Sequence, residues 1–426
     1  MTTSERLFRL RRRIGRYLLA GRAGGIWSEY ADDALALANV VDCDFHKLAQ
    51  VQQRPDRVAR EGPHVCHWYL PSFDHPFYGG LFTIFRVAAH LKRRHGVRQR
   101  FIICGNAPAS RIRGMIAQTF VELADCEVLV LDSAEAIAAI PPADFSVATL
   151  WTTAYVLLGM ENTGYKFYFI QDFEPAFYPA GSTYAQAELT YRFGFYGIAN
   201  TVSLRHMYEQ NYNGIAHHFT PCVDRSIFFP PSAERPASPI RLFYYARPGI
   251  PRNGFELAMT TLRRVKQRLG SGIEIVCAGA DWQPSDFGLS GIVTNLGLLP
   301  YAETGGLYRS CHIGIAMMMT KHPSYLPLEL MASGSLVVAN ENPANRWLLR
   351  DGENCLLSPP SAECLTQTLV RAAENYPALS EIRARAGREI ESRHSNWDTT
   401  LDSIWEFMRM PSRSRGETAN LTRAAS

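Results

Sequence analysis

From His64 onward the chain alternates short β-branched and aromatic runs with helix-length segments, and this alternation restricts the fold more than any other feature. Residues 65–70, 99–104, 127–131, 145–151, 166–171 and 197–201 read as buried strands bounded by turn-forming residues, with helices expected at 81–94 and 112–123. Strands that alternate with helices pack as a parallel sheet covered on both faces. The pattern breaks at residues 228–239, FFPPSAERPASP, where Pro230, Pro231, Pro236 and Pro239 argue for a linker. It then restarts, with strands expected at 240–246, 273–278, 292–296, 313–318 and 336–339 and helices at 255–269, 302–310, 327–333 and 362–374. A length of 426 residues accommodates two such cores. The expected class is therefore α/β, with two Rossmann-like domains facing across a deep cleft. Ligands of such sheets bind beyond the carboxyl ends of the strands.

The division expected from this pattern is an N-terminal extension at 1–60, a first α/β domain at 61–227, the linker at 228–239 and a second α/β domain at 240–395. A closing helix at 396–410 and a flexible tail at 411–426 complete it. Arg6, Arg9, Arg11, Arg12, Arg13, Arg16 and Arg22 crowd the start of the extension and face only Glu5 before the sequence turns mixed, whereas the whole chain carries a formal charge of +4. That balance does not argue for nucleic acid. The arginines alternate with Leu7, Phe8, Leu10, Ile14 and Tyr17, a pattern open to two readings: a basic amphipathic helix on an anionic membrane surface, or a solvated helix packed on the fold. No apolar core or cleavage site of a secretory signal follows them. The uncharged run at 145–160 is shorter than the ~18 residues of a membrane span, so none is expected. Nine scattered cysteines without a close pair suit reduced thiols in a cytoplasmic protein. Asp42-Cys43-Asp44 has the form of a D-x-D metal motif but no strand precedes it to aim it.

Several residues follow strands at their carboxyl ends and so face the expected cleft. The loop PSFDHPFYGG ends in Gly79-Gly80 directly before a helix, where close backbone approach and free N–H groups suit a phosphate or sugar oxygen. Arg247 and Arg252, in ARPGIPRNG, can clamp a diphosphate between them, or serve as surface cations. In HPSYLPLELMASG, Pro327 suits a first helical turn, and Glu329 in that turn is expected to stay ionised through the helix dipole and to accept ribose hydroxyls. Gln171-Asp172-Phe173-Glu174 ends another strand. Asp172 and Glu174 could orient an acceptor hydroxyl, ligate a metal, or be satisfied internally as a structural pair. Among His67, His75 and His322, each able to donate to phosphate, His75 stands beside the glycine loop.

These motifs carry a family resemblance. The succession of strand, Arg247, helix, LGLLPYAETGGLYRSCHIGIAM, PLELMASGSLVVA and DGENCLLSPP resembles the donor domain of retaining family-4 glycosyltransferases of GT-B fold. HPSYLPLELMASG, ARPGIPRNGFEL and FYGGLFTIFRVAAHL are most similar to the WsaF-like rhamnosyltransferases of bacterial surface-glycan synthesis, over residues 60–410. The resemblance implies transfer of L-rhamnose from dTDP-L-rhamnose to a hydroxyl of a cell-surface glycan, lipid-linked or free, with retention. It implies no metal at the diphosphate and no cofactor beyond the nucleotide-sugar donor. By position it places Arg247, with Arg252 or Asn253, at the diphosphate, Glu329 at the ribose, Gly79-Gly80 near the leaving phosphate and sugar, and Ser324 and Tyr325 in the pocket wall. Lys321 stands where many family members carry a second glutamate, so it is expected to meet phosphate rather than sugar hydroxyls. An epimerase or hydrolase of the same fold, or a glycan-binding protein, are the alternative readings.

Overall fold

Residues 65–71, VCHWYLP, are buried at nearly every position rather than at alternate ones, as a strand must be when helices cover both faces of its sheet. In the computed structural model, which describes residues 53–74, 79–105 and 107–411, two such sheets form. The first contains β1 (Val65–Pro71), β2 (Arg98–Cys104), β3 (Glu127–Leu131), β4 (Ala143–Ala148), β5 (Thr163–Ile170), β6 (Tyr196–Ala199) and β7 (Ile215–His218). Its helices are α1 (Gly79–His95), α2 (Ala109–Thr119), α3 (Ala134–Ala138), α4 (Trp151–Leu158), α5 (Ser182–Leu189) and α6 (Val202–Tyr212). The strands run parallel in the order β3-β2-β1-β4-β5-β6-β7. The direction of winding reverses between β1 and β4, where Cys66 pairs with Phe145, and such reversals open a crevice at the carboxyl end.

The second sheet contains β8 (Ile240–Tyr245), β9 (Ile273–Ala278), β10 (Thr294–Asn295), β11 (Ile313–Ala316), β12 (Leu336–Asn340) and β13 (Leu356–Ser358), parallel in the order β10-β9-β8-β11-β12-β13. With it go α7 (Phe255–Leu269), α8 (Tyr301–Ser310), α9 (Leu326–Ala332), α10 (Ala362–Glu374) and α11 (Ser380–Arg393). The edge strands β7 and β13 carry too few apolar residues to stand out in the sequence. The strand expected at 145–151 stops at Ala148, because Thr153 Oγ1 accepts hydrogen bonds from the N–H groups of Thr149 and Leu150 and starts α4 instead.

The proline-rich stretch differs from a free linker. Phe228 is fully buried against Tyr301 and Tyr308, and the Arg235 guanidinium donates to the carbonyls of Arg309, Ser333 and Gly334 at 2.8–3.0 Å. It is a strap on the second domain. The chain crosses between domains just before it, where Val223 N–H donates to the His394 carbonyl and runs beside the second crossing. That second crossing leads into α12 (Trp397–Arg409), which packs Leu401, Ile404, Trp405, Phe407 and Met408 into the core of the first domain. The arginine-rich segment, Asp42-Cys43-Asp44 and the C-terminal tail lie outside the described residues. Among the described residues no helix is long and apolar enough to cross a membrane, and the eight described cysteines are unpaired.

Trp405 stands edge-on to Phe145 at 5.8 Å and stacks on His95 at 5.2 Å. Trp405→Ala is expected to cost about 3–5 kcal/mol, measured as a lowered urea midpoint at unchanged slope.

Candidate active site

Because every strand is parallel, the segments that follow strands gather at one end of each sheet, and these ends border a cavity of about 530 Å³ between the domains. The first domain contributes Pro71 at the end of β1, Thr149 and Leu150 after β4, Gln171 and Asp172 after β5, and Asn200 after β6. From the second come Tyr245 at the end of β8 and Arg247 after it, Ala278 and Gly279 at the end of β9, and Met318 after β11. Of the residues singled out in the sequence, Gly79, Gly80, Asp172, Glu174, Arg247, Arg252, Asn253, Ser324, Tyr325 and Glu329 line this cavity. His75 lies outside the described residues.

The basic wall is built on short, pinned turns. Pro251–Asn253 form one 3-10 turn, held because Met319 N–H donates to the Arg252 carbonyl and the Tyr244 hydroxyl to that of Asn253. The turn ends in Gly254 at φ 62°, where a Cβ would sit 2.6 Å from the Met317 methyl. The Arg252 guanidinium reaches across the cleft to lie 4.4 Å from the centre of the Phe177 ring, and burial lowers its pKa while Asp172 opposes the shift. Gly279, at φ 123°, leaves room for the Tyr245 ring, beside which Arg247 lies.

Glu329 corrects one expectation. It does stand in the first turn of α9 behind Pro327, yet burial pushes its carboxyl up to about 8. A seven-residue helix offers a weak dipole, and desolvation outweighs it. The group is therefore largely neutral at pH 7 and can both donate and accept.

Opposite, α1 begins at Gly79. Among the described residues a Cβ there would meet no atom within 4 Å. Gly80 is closer to protein, its carbonyl accepting from Gln171 Nε2 at 3.1 Å. Asp172 is fastened to its own turn and to the other domain: Oδ1 accepts from Phe173 N–H at 2.7 Å and Oδ2 from the Thr320 hydroxyl at 2.6 Å. Burial raises its pKa to about 6. The Glu174 carboxylate accepts from Trp151 N–H at 2.6 Å, at the start of α4, and from the Tyr168 hydroxyl, with burial raising it to about 8. Both carboxyl groups thus have protein partners. The Tyr325 hydroxyl lies 3.1 Å from both Thr83 Oγ1 and Asn200 Nδ2, a further bridge between domains.

Two residues fall elsewhere. Lys321 does not line the cavity; its side chain is exposed, with Nζ 5.9 Å from the centre of the Phe173 ring. The adjacent Thr320 turns inward to Asp172, which sends the next side chain outward. His67 is buried within the first domain, its Nε2 2.6 Å from Arg100 Nη1, and burial lowers its pKa to about 3.

Gln171, Asn200 and His322 also face the cavity, and sequence reasoning gave the first two no role. Among the described residues, Gln171 Oε1 and Asn200 Oδ1 are buried polar atoms without a hydrogen-bond partner, and His322 is buried beside the Asn200 backbone. Burial lowers His322 to about 4, so it is neutral. Such orphans are costly unless a ligand satisfies them. Gln171 and Asn200 each directly follow a strand, and a polar residue in that place was the available signal.

The chain matches the family described as WsaF, N-terminal domain, over residues 69–201 and WsaF, C-terminal domain, over residues 240–370. The O-antigen biosynthesis protein RfbC of Myxococcus xanthus is 43% identical over 341 residues, which are 79% of this chain and 26% of that protein. The chain thus spans about a quarter of that relative's length. Among solved structures, Anabaena HepE in complex with UDP and glucose superposes with a TM-score of 0.63 at 15% identity, over 81% of this chain and 99% of that one. The pneumococcal O-GlcNAc transferase GtfA, in complex with UDP and GlcNAc, gives 0.60 at 10% identity, over 81% and 98%. The likenesses establish the two-domain GT-B fold.

The raised carboxyls make stability depend on pH. Glu174 holds its proton in the folded state up to about 8 but releases it near 4.5 when unfolded. Its contribution is therefore full below about 4.5 and is lost as pH rises through about 8. Glu174→Gln keeps an acceptor for Trp151 N–H and removes the titration. Its melting temperature is expected to gain on the wild type steadily from about pH 5 to pH 8, and a constant difference across that range would contradict the assignment.

Proposed function

The chain belongs to the WsaF family, and on that footing we propose that it is a glycosyltransferase of surface-polysaccharide synthesis, moving a sugar from a nucleoside diphosphate to a glycan hydroxyl. The observation that carries this reading is the cavity itself. One wall holds two arginines and a largely neutral glutamate, the other a helix start with an open glycine, and two orphaned polar atoms lie between them. A diphosphate suits the arginines and the α1 N-terminus. Glu329 suits a ribose hydroxyl, and Gln171, Asn200 and His322 suit the hydroxyls of a sugar. HepE and GtfA, which share the fold, are described with UDP bound, which supports a nucleotide at this cleft.

In our reading the donor is dTDP-L-rhamnose, the acceptor a growing O-antigen-type glycan, and the anomeric configuration is retained. RfbC supports the polysaccharide context. The bond between the anomeric carbon and the phosphate oxygen breaks as the acceptor oxygen bonds to the same carbon. The acceptor proton passes on that face to the departing phosphate oxygen. Arg247, Arg252 and the N–H groups of α1 stabilise the negative charge that develops there. Asp172 joins Thr320 across the cleft and so sets the separation of the walls, while Glu174 positions α4. In this reading the transfer needs no divalent ion at the diphosphate, because Arg247 and Arg252 supply the positive charge.

A thermal-shift panel of dTDP, UDP, GDP and ADP, with and without magnesium, tests the reading. Stabilisation by dTDP without metal is expected; a response to none of the four would overturn it, and donor turnover without acceptor would point to a hydrolase. Arg252→Met is expected to weaken nucleotide affinity at least tenfold, since a charge-assisted hydrogen bond contributes about 1.5–3 kcal/mol. Glu329→Ala should weaken it by a similar factor; unchanged affinity by calorimetry would remove Glu329 from the ribose.

A further inference from the structure

Helices α1 and α12 meet at a cluster that the cleft does not use. His90, only 2% exposed, and His95 each place Nε2 2.8 Å from the same atom, Asp402 Oδ1. The other ring nitrogen of His90, Nδ1, is buried without a hydrogen bond and lies 3.2 Å from Asp398 Oδ1. The ligand atoms of His90, His95 and Asp402 all lie within 4.8 Å of one another.

One carboxylate oxygen facing two imidazoles imposes an electrostatic requirement. If neutral His90 carries its proton on Nε2, Asp402 is satisfied, but the Nδ1 lone pair is then buried beside the Asp398 carboxylate. With the proton on Nδ1 that repulsion becomes attraction, and the Nε2 lone pair instead faces Asp402 Oδ1 with nothing between them. A cation at the junction of the two Nε2 atoms and Oδ1 resolves the conflict. It also leaves Asp398 behind His90, where metal-binding histidines usually keep a carboxylate.

We propose that His90, His95 and Asp402 form a zinc site that fastens the C-terminal helix α12 to α1. Two imidazoles and one carboxylate are a ligand set zinc accepts. Zinc bonds of about 2.0–2.1 Å in a tetrahedron place ligand atoms about 3.3 Å apart. The two His–Asp separations therefore need to open by only about half an ångström from 2.8 Å. Asp402 and His95 are partly exposed, so water can take the fourth position. Arg93, 3.1 Å from Asp398, and Arg94, 3.7 Å from Asp402, are each more than half exposed and free to turn outward when an ion neutralises the carboxylates. The site lies toward the far end of α1 from Gly79-Gly80, about 16–24 Å away along the helix. Its role is to hold α12 in place, apart from the transfer chemistry.

The full chain, stripped of metal with chelator, is titrated with zinc chloride and its metal content measured by mass spectrometry. One zinc per chain is expected, with a rise in melting temperature of several degrees that EDTA reverses. Both are expected to be lost in His95→Ala and in Asp402→Asn; the latter keeps the side chain's shape and an acceptor oxygen, and circular dichroism checks that each variant is folded. Substoichiometric zinc in the wild type, or an undiminished zinc content in Asp402→Asn, overturns the site. A melting temperature that follows pH but ignores both zinc and EDTA overturns it as well, because protonated histidines then hold the two carboxylates.

Discussion

Both sheets are parallel throughout, and the cleft depends on this constraint more than on any single residue. A parallel strand can be reached only by a crossover, so every loop that follows a strand emerges at the same end. Residues far apart in the chain, such as Pro71, Asn200, Arg247 and Met318, are thereby brought around one cavity without any direct tendency to associate. The reversal of winding beside β1 opens the crevice at which Gly79 and Thr149 stand. Hydrogen bonds and ring contacts join the domains at the rim: Asp172 with Thr320, Tyr325 with Thr83 and Asn200, Phe82 with Tyr301.

Burial dominates charge inside this cleft. Asp172, Glu174 and Glu329 are all raised above the ordinary carboxylate range, and in each the largest cause is loss of solvent. Arg252 is lowered for the same reason. Helix dipoles and hydrogen bonds moderate these shifts without reversing them. A site that already withholds water from its cations is prepared for a polyanion, because the ligand need not displace a strong hydration shell around them. The orphaned oxygens of Gln171 and Asn200 belong to the same economy: stability is given up in a place where a ligand can restore it.

The way the chain passes between domains explains why the proline-rich stretch is no hinge. Pro230, Pro231, Pro236 and Pro239 stiffen the segment, but Phe228 and Arg235 bind it to the second domain on either side. The chain passes between domains instead at the paired crossings near Val223 and His394, where two backbones run side by side. α12 then carries the end of the second crossing into the core of the first domain, so neither domain is completed by a single stretch of sequence.

The alternation of apolar runs and amphipathic helices, local in the chain, was enough to determine two α/β domains and to put Gly79, Gly80, Arg247, Arg252 and Glu329 in the segments that follow strands. Period and turn chemistry act over a few residues, so they are legible without a fold. The edge strands β7 and β13, too short for a clear period, were not. Nor was the protonation of Glu329, since a helix start predicts a lowered pKa and only the surrounding atoms decide how much water remains. Lys321 and Thr320 are neighbours in sequence, and packing alone turned one to solvent and the other to Asp172. The same holds for His90, His95 and Asp402, more than 300 residues apart across α1 and α12: their types are visible in the chain, but their convergence is a product of the tertiary structure.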